Sequence, residues 1–338
     1  MREVNKDGFD CQVIADSKNL SKERLTTMVV TFPRIVLAEF NTHRMFSRNS
    51  ASSRAIPTSK MIQRVEKTPF VPLAFQATHK GMQGTEYLSG EKEIEAKSLW
   101  LKGSRRAVSI AKQMVEAGIT KQLINRILEP YLYHTVIVSA TDWDNFFELR
   151  CPKYRFDFLG NDVSFNSKKS AIAFLKANDF IMMAEGLEEN PEELDKINTS
   201  QAEIHIQRIA EMMYDAYQES RPTVLNVGDY HMPFGDKIDH QEVVKYLAAK
   251  GKFDPTREHF LVRQVKIHIA IARCARVSYL NFEGKFDINA DVNLYKSLKA
   301  SKHWSPFEHV ARYVGDGGVY GNFNGAFKQV RYSLERDL

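Results

Sequence analysis

The stretch Thr42-His43-Arg44-Met45-Phe46-Ser47-Arg48-Asn49-Ser50-Ala51-Ser52-Ser53-Arg54 gathers one imidazole, three guanidinium groups, four serines and an asparagine into thirteen residues. A guanidinium offers a fixed fork of donors that matches phosphate, and hydroxyls fill the lone pairs that remain. A histidine among such donors can stack on a ring or polarise it. A solvated basic loop would have a similar composition, so the order of the residues carries the information. His43-Arg44 is followed by seven residues and then by Ser52 and Arg54.

Around this stretch the pattern is α+β. Residues 25–32 are rich in Thr, Val and Met and read as a strand ended by Pro33. Residues 35–40 start a helix into the basic segment, and Pro57 closes it. Residues 68–90 are broken by Pro69, Pro72, Gly81, Gly84 and Gly90 and read as loop. Residues 104–118 read as a helix capped by Ser104, with Ala107, Ile110, Ala111, Met114 and Val115 on one stripe and Gly118 at its end. Helices are also expected over 121–128, 143–149, 170–185, 201–217, 290–299 and 326–338, and a strand over 131–138. Residues 161–167, 188–195 and 225–237 read as connections. The run 259–278 alternates like a strand at Val265, Ile267, Ile269 and Ile271 but has the length of a helix. There is no βαβ alternation and no G-x-G-x-x-G, which argues against a dinucleotide-binding dehydrogenase.

Composition narrows the function classes. A chain of 338 residues can bury a substantial core, and its net charge of +5 suits small polyanions such as nucleotides but is too weak to imply nucleic-acid binding. No apolar run is long enough for a bilayer. Residues 1–10 are polar and mixed in charge, unlike a signal peptide. Cys11, Cys151 and Cys274 are odd in number and lack C-x-x-C spacing, which fits a reducing, cytoplasmic setting. His303, Glu308 and His309 lack H-E-x-x-H spacing and are interrupted by Pro306, so no metal site is expected.

Five segments together resemble the flavin-dependent thymidylate synthases, the ThyX family. His43-Arg44-x₇-Ser52-x-Arg54 resembles that family's R-H-R-x₇-S-x-R, with Thr42 in place of the first arginine and Ser50 in place of a glutamate. Arg126-Ile127-Leu128-Glu129-Pro130 resembles its arginine before Leu-Pro, with Glu129 inserted. Asn145-Phe146-Phe147-Glu148-Leu149-Arg150 resembles N-F-x-x-L-R, and Gln201-Ala202-Glu203-Ile204 resembles the A-Q-x-E-I-R helix that follows. Ala275-Arg276-Val277-Ser278-Tyr279, with Ser305-Pro306-Phe307-Glu308-His309, resembles A-R-V-S-Y followed by S-P-F-E-H. That last pair precedes the signature in the family and follows it here. The cyclic order is kept, as a circular permutation within one catalytic domain over 1–338 would leave it.

The resemblance implies a central mixed or antiparallel sheet flanked by helices, and a homotetramer whose sites draw on several subunits. It implies FAD as cofactor, with NADPH and methylenetetrahydrofolate as co-substrates in the reductive methylation of dUMP to dTMP. Arg150, His43 and Arg44 are the implied catalytic residues. Ser52, Arg54, Arg126, Arg150 and Glu39 would bind substrate, and His43, Arg44, Asn49, Asn145, Ser278, Ser305 and Glu308 would bind flavin. Arginine has donors only, so Arg150 suits the oxygen at position 4 of uracil better than the amine of cytosine. A variant acting on dCMP, a hydroxymethylating variant, and a nucleotide-binding module without catalysis stay open because of Thr42 and Ser50. A thiolate on Cys151, next to Arg150, is the alternative route to activating the pyrimidine.

Overall fold

The computed structural model describes residues 8–80, 86–277 and 287–336. In chain order the first half contains β1 (Asp10–Lys18), β2 (Arg24–Pro33), α1 (Leu37–Asn41), β3 (Ser47–Ser50), α2 (Thr58–Lys67), α3 (Glu91–Glu116), α4 (Lys121–Leu128), β4 (Tyr133–Ala140) and α5 (Asp144–Arg150). Then follow β5 (Tyr154–Phe158), β6 (Asn161–Phe165), α6 (Lys168–Ala177), α7 (Ile181–Glu189), α8 (Ile204–Glu219), β7 (Thr223–Val224) and β8 (Tyr230–His231). The last third contains α9 (His240–Ala249), α10 (Glu258–Val277), α11 (Ile288–Ala300), β9 (Ala311–Tyr313), β10 (Phe327–Gln329) and α12 (Val330–Arg336).

The architecture is α+β, with a central mixed sheet flanked by helices. Its order is β3-β4-β2-β1-β7, antiparallel except for the parallel β1–β7 edge. Helices cover both faces, so β2 and β4 are buried on both sides and read as continuous apolar runs. On one face Met28, Val30, Phe32, Val136 and Val138 pack on Ile206, Ile209 and Met213 of α8 and on Phe146 and Phe147 of α5. On the other, Val29 and Ile137 meet Cys274 and Val277 at the end of α10. A separate cluster holds α9, α10 and α11 to Phe307 and Val310. β8, β9 and β10 make a small antiparallel sheet, and the β5–β6 hairpin forms a third unit with α6 and α7 around Tyr154, Ala171 and Leu194.

Several sequence expectations are corrected. The helix read from Ser104 begins at Glu91, and Ser104 lies inside it, buried, its hydroxyl donating to the Leu101 carbonyl at 2.9 Å. Ile110 and Val115, placed on the apolar stripe, are exposed; Val108 and Ala111 are the buried positions. The helix expected over 170–185 is two helices, separated where Asp179 takes φ +66°. Residues 161–165, read as loop, are β6, whose polar residues face solvent on a hairpin strand. The ambiguous run 259–278 is α10, and the run expected as one final helix begins with β10. β1 and α9 carry no sequence expectation at all.

Candidate functional site

The basic stretch runs from the end of α1 through a tight loop into β3. Thr42 caps α1: its amide and hydroxyl both donate to the Glu39 carbonyl, at 3.1 and 2.6 Å. Arg48 of β3 reaches back across the loop. Its Nη1 donates to the carbonyls of Asn41 at 3.0 Å and His43 at 3.1 Å, with Phe40 at 3.4 Å. These carbonyls end a short helix and carry the negative end of its dipole, so a guanidinium suits them.

His43, held by this loop, is buried against aromatic rings, edge-on to Phe146 at 4.9 Å. Its Nε2 accepts from Arg150 Nε at 3.2 Å, and Arg150 Nη2 donates to Thr42 Oγ1 at 3.2 Å. Burial, then the charges of Arg150 and Arg48, push the imidazole down to about 4, so it is neutral near pH 7. With Nε2 accepting, the ring proton sits on Nδ1. Arg150, at the last turn of α5, is thus oriented by two partners from one loop, one of which is the threonine that replaces an arginine.

The other side of β3 meets the C-terminal third. Asn49 Nδ2 donates to the Cys274 carbonyl of α10 at 3.1 Å, and Ser305 Oγ donates to Asn49 Oδ1 at 3.4 Å. Gln329 Nε2 donates to Ser47 Oγ at 2.8 Å and to the Glu308 carbonyl at 3.2 Å, while Arg331 pairs with the Glu308 carboxylate. The segments 42–54 and 305–309 therefore lie side by side within one chain, over two hundred residues apart in sequence, and Asn49 also reaches the end of α10. Arg276 is engaged elsewhere, pairing with buried Asp291 of α11 at 2.7 Å. Ser278 lies outside the described residues.

The remaining motif residues sit nearby or on the surface. Arg44 and Asn145 are exposed. Ser52 precedes a 3-10 turn, Ser53–Ala55, on which Arg54 is exposed. Arg126 is exposed on α4, and its neighbour Asn125 ties that helix to the turn, Nδ2 donating to the carbonyls of Ser53 at 2.7 Å and Ile56 at 2.9 Å. Arg54 and Arg126 are thereby on adjoining segments, though no contact links either to Arg150 among the described residues. Glu39 has a buried carboxylate oxygen with no hydrogen-bond partner.

Asn125, Gln329 and Arg331 carry no expectation from sequence. Only Asn125 leaves a trace there, a polar residue between Ile124 and Leu128 on an apolar stripe. Cys151, the alternative nucleophile, is fully buried and burial drives its thiol far above the usual range. A thiol that neither ionises nor meets solvent is a poor nucleophile. His303 is exposed, Glu308 is paired to Arg331 and His309 is buried on Ser139, and among the described residues no group of His, Cys, Asp or Glu could hold a metal ion. No helix of the described residues is long and apolar enough to cross a membrane.

A cleft of about 970 Å³ lies apart from these residues, between α8 and the hairpin unit. Its polar groups satisfy one another: Tyr154 Oη and the Lys168 amide donate to Glu211 Oε1 at 3.2 and 2.8 Å, and Lys168 Nζ pairs with Asp195 at 2.7 Å. That arrangement docks α6 on α8.

No family model and no curated protein matches the chain. Among solved structures it is similar to a UMP/dUMP methylase, PolB from Streptomyces cacaoi, bound with 5-Br UMP: 12% identity, 62% of this chain, 89% of that chain and a TM-score of 0.41. The form of that methylase bound with 5-Br dUMP covers 62% and 90% at 12% identity, with a TM-score of 0.38.

Proposed function

We propose that this protein is a flavin-dependent enzyme that methylates carbon 5 of a pyrimidine nucleotide, converting dUMP to dTMP with methylenetetrahydrofolate as carbon donor and NADPH as reductant. The observation that carries this reading is the junction at Asn49. Two segments that resemble parts of one flavin site, and whose order is rotated in the sequence, share hydrogen bonds through Asn49 to Cys274 and Ser305. Coincidental motif matches would have no reason to converge.

The residues present suit such a site. Glu39 has a buried carboxylate oxygen free for a ligand donor. Neutral His43 exposes no charge to an apolar ring, and Arg150 keeps its Nη1 hydrogens free of partners among the described residues. FAD, when bound, would supply the electrons for the methyl transfer. Arg150 then holds negative charge on the pyrimidine, from a position fixed before substrate arrives. Ser52, Arg54 and Arg126 hold the phosphate, and Glu39 a polar group of the nucleotide. Arg44, Asn49, Asn145, Ser305 and Glu308 would hold the flavin with His43, together with Ser278, which lies outside the described residues. In a homotetramer, Arg126 would reach the nucleotide phosphate of a neighbouring subunit.

Purified protein is expected to be yellow, with an absorption band near roughly 450 nm from bound flavin. With dUMP, folate donor and NADPH, the product mass should rise by one methyl group. Arg150→Ala should lower turnover by about a hundredfold or more, as loss of a charge-stabilising donor does. A colourless protein that does not take up added FAD would rule the reading out. Preferential turnover of dCMP, or a hydroxymethyl product, would keep the flavoenzyme and change its reaction.

A further inference from the structure

Arg34 and Arg64 belong to no motif, yet they line one small pocket. Arg34 follows β2, Arg64 is in the last turn of α2, and Ser53, Glu129, His134 and Thr135 complete the walls of about 30 Å³. An adjoining cleft of about 420 Å³ shares Arg34 and Glu129 and adds Asn41 and Arg126. Arg34 and Arg64 thus line the pocket and Arg34 and Arg126 the cleft, with Glu129, paired to Arg34, common to both.

Their partners are unevenly distributed. Arg34 is aimed by two groups, donating from Nη1 to His134 Nδ1 at 2.8 Å and from Nη2 to Glu129 at 3.4 Å. Burial and the Arg34 charge push His134 down to about 3, so it adds no charge of its own. Arg64 and Arg126 have no carboxylate partner among the described residues. Arg64 is exposed on α2, and the part of its side chain that is covered lowers its pKa with no anion beside it to offset the effect. The pocket is the size of an oxyanion head or a water or two, and the cleft leaves room for whatever the oxyanion is attached to. We propose that the pocket between Arg34 and Arg64 binds a phosphoryl oxyanion, with Ser53 and Thr135 as hydroxyl neighbours and Arg126 at its open side. The Arg64 guanidinium, the Arg34 hydrogens not taken by His134 and Glu129, and the hydroxyls of Ser53 and Thr135, the latter shared with Thr31 at 2.9 Å, offer more donors than the two oxygens of a carboxylate can use.

The test needs neither flavin nor turnover. Inorganic phosphate is titrated into the full chain at low ionic strength and followed by calorimetry and thermal shift. Phosphate should bind, Arg64→Ala should weaken it by at least about tenfold, and Lys245→Ala, an equal charge change on the remote helix α9, should leave it alone. Arg64 is on the outer side of α2, so the variant should fold; Arg64→Lys, which keeps the charge, should recover part of the affinity. Competition between phosphate and dUMP, with Arg64→Ala weakening dUMP but not deoxyuridine, would assign the pocket to a nucleotide phosphate. Simultaneous binding of the two would assign it to free phosphate. No phosphate binding, or equal losses in Arg64→Ala and Lys245→Ala, would overturn the proposal. A colourless protein that still binds phosphate through Arg64 would refute the flavoenzyme and leave this pocket standing.

Discussion

On one face of the central sheet, Met28, Val30 and Phe32 lie on an apolar bed; on the other, one residue further along the same strands, Thr27 and Ser139 lie under histidines. Both faces are buried, but the second carries a line of polar side chains from β1 to β4. His231 Nδ1 meets Ser17 Oγ at 2.9 Å, and its Nε2 meets Thr27 Oγ1 at 2.7 Å. Thr27 meets Ser139 at 2.6 Å, and Ser139 meets His309 Nδ1 at 2.8 Å. His309 Nε2 is left without a partner. The proton order that strands least runs His309 Nδ1–H to Ser139, Ser139 to Thr27, Thr27 to His231 Nε2, and His231 Nδ1–H to Ser17. It leaves only a bare lone pair on His309 instead of a buried N–H donor. The apolar face needs area alone to be stable, whereas the polar face needs every proton in place.

The largest effect is expected on the apolar face. Phe32 is fully buried and its ring lies 4.9 Å from that of Phe40. Phe32→Ala should lower unfolding free energy by about 3–5 kcal/mol at neutral pH, from lost burial and the cavity left behind. Urea denaturation at pH 7.5 measures it. A loss below about 1 kcal/mol would mean that this face is not the main core.

Acid should act on the polar face, alongside His43, His134 and His268, which burial also pushes down. Burial pushes His231 and His309 down to about 3, helped at His309 by the charge of His231 and opposed at His231 by Asp16. The folded chain therefore binds fewer protons than the unfolded one below about pH 6.5. Stability is full above that value and falls with pH until about 3, by about 1.4 kcal/mol per pH unit for each histidine. From pH 6.5 to pH 5 the pair should account for roughly 4 kcal/mol. Denaturation curves at pH 7.5, 6 and 5 should show at least that fall. A flat profile would mean that the two imidazoles take up protons in the folded state.

What the sequence revealed of the fold follows from the same contrast. β2 is legible because both faces of Thr26 to Phe32 are buried and the run is dense in β-branched and large apolar residues. β1, its neighbour, reads Asp-Cys-Gln-Val-Ile-Ala-Asp-Ser-Lys and escapes notice, since Asp16 serves Arg24 and Thr26 and Ser17 serves His231. The first half of α3 is exposed at Ile94 and Leu99, so no stripe marks it. In the site, the approach of 42–54 to 305–309 could be inferred from cyclic order. The contact of His43 with Arg150 could be inferred only from resemblance, and the Arg34–Arg64 pocket from nothing local, because it assembles from four separate segments.

The smallest expected effect tests whether the polar line acts as a unit. Ser139 is wholly buried and joins Thr27 to His309. Ser139→Ala removes one hydroxyl but leaves an imidazole with no partner on either nitrogen, so it should cost about 1–3 kcal/mol. His309→Leu alone should cost about 1 kcal/mol, since Ser139 keeps its bond to Thr27 and loses only the donor on its other side. Made together, the two changes remove both ends of the bond and leave apolar surfaces in contact, so the double variant should lose less than the sum of the singles. A double-mutant cycle by urea denaturation at pH 7.5 reads the difference, expected at about 0.5–3 kcal/mol in favour of the pair. The double variant should also lose His309's share of the acid slope between pH 6.5 and 5, about a fifth of it, since His43, His134, His231 and His268 are pushed down as well. Strict additivity with an unchanged slope would show that Ser139 and His309 are merely adjacent, and that the second face is held by its apolar residues, Val29, Ile137 and Val277, as the first face is by its own.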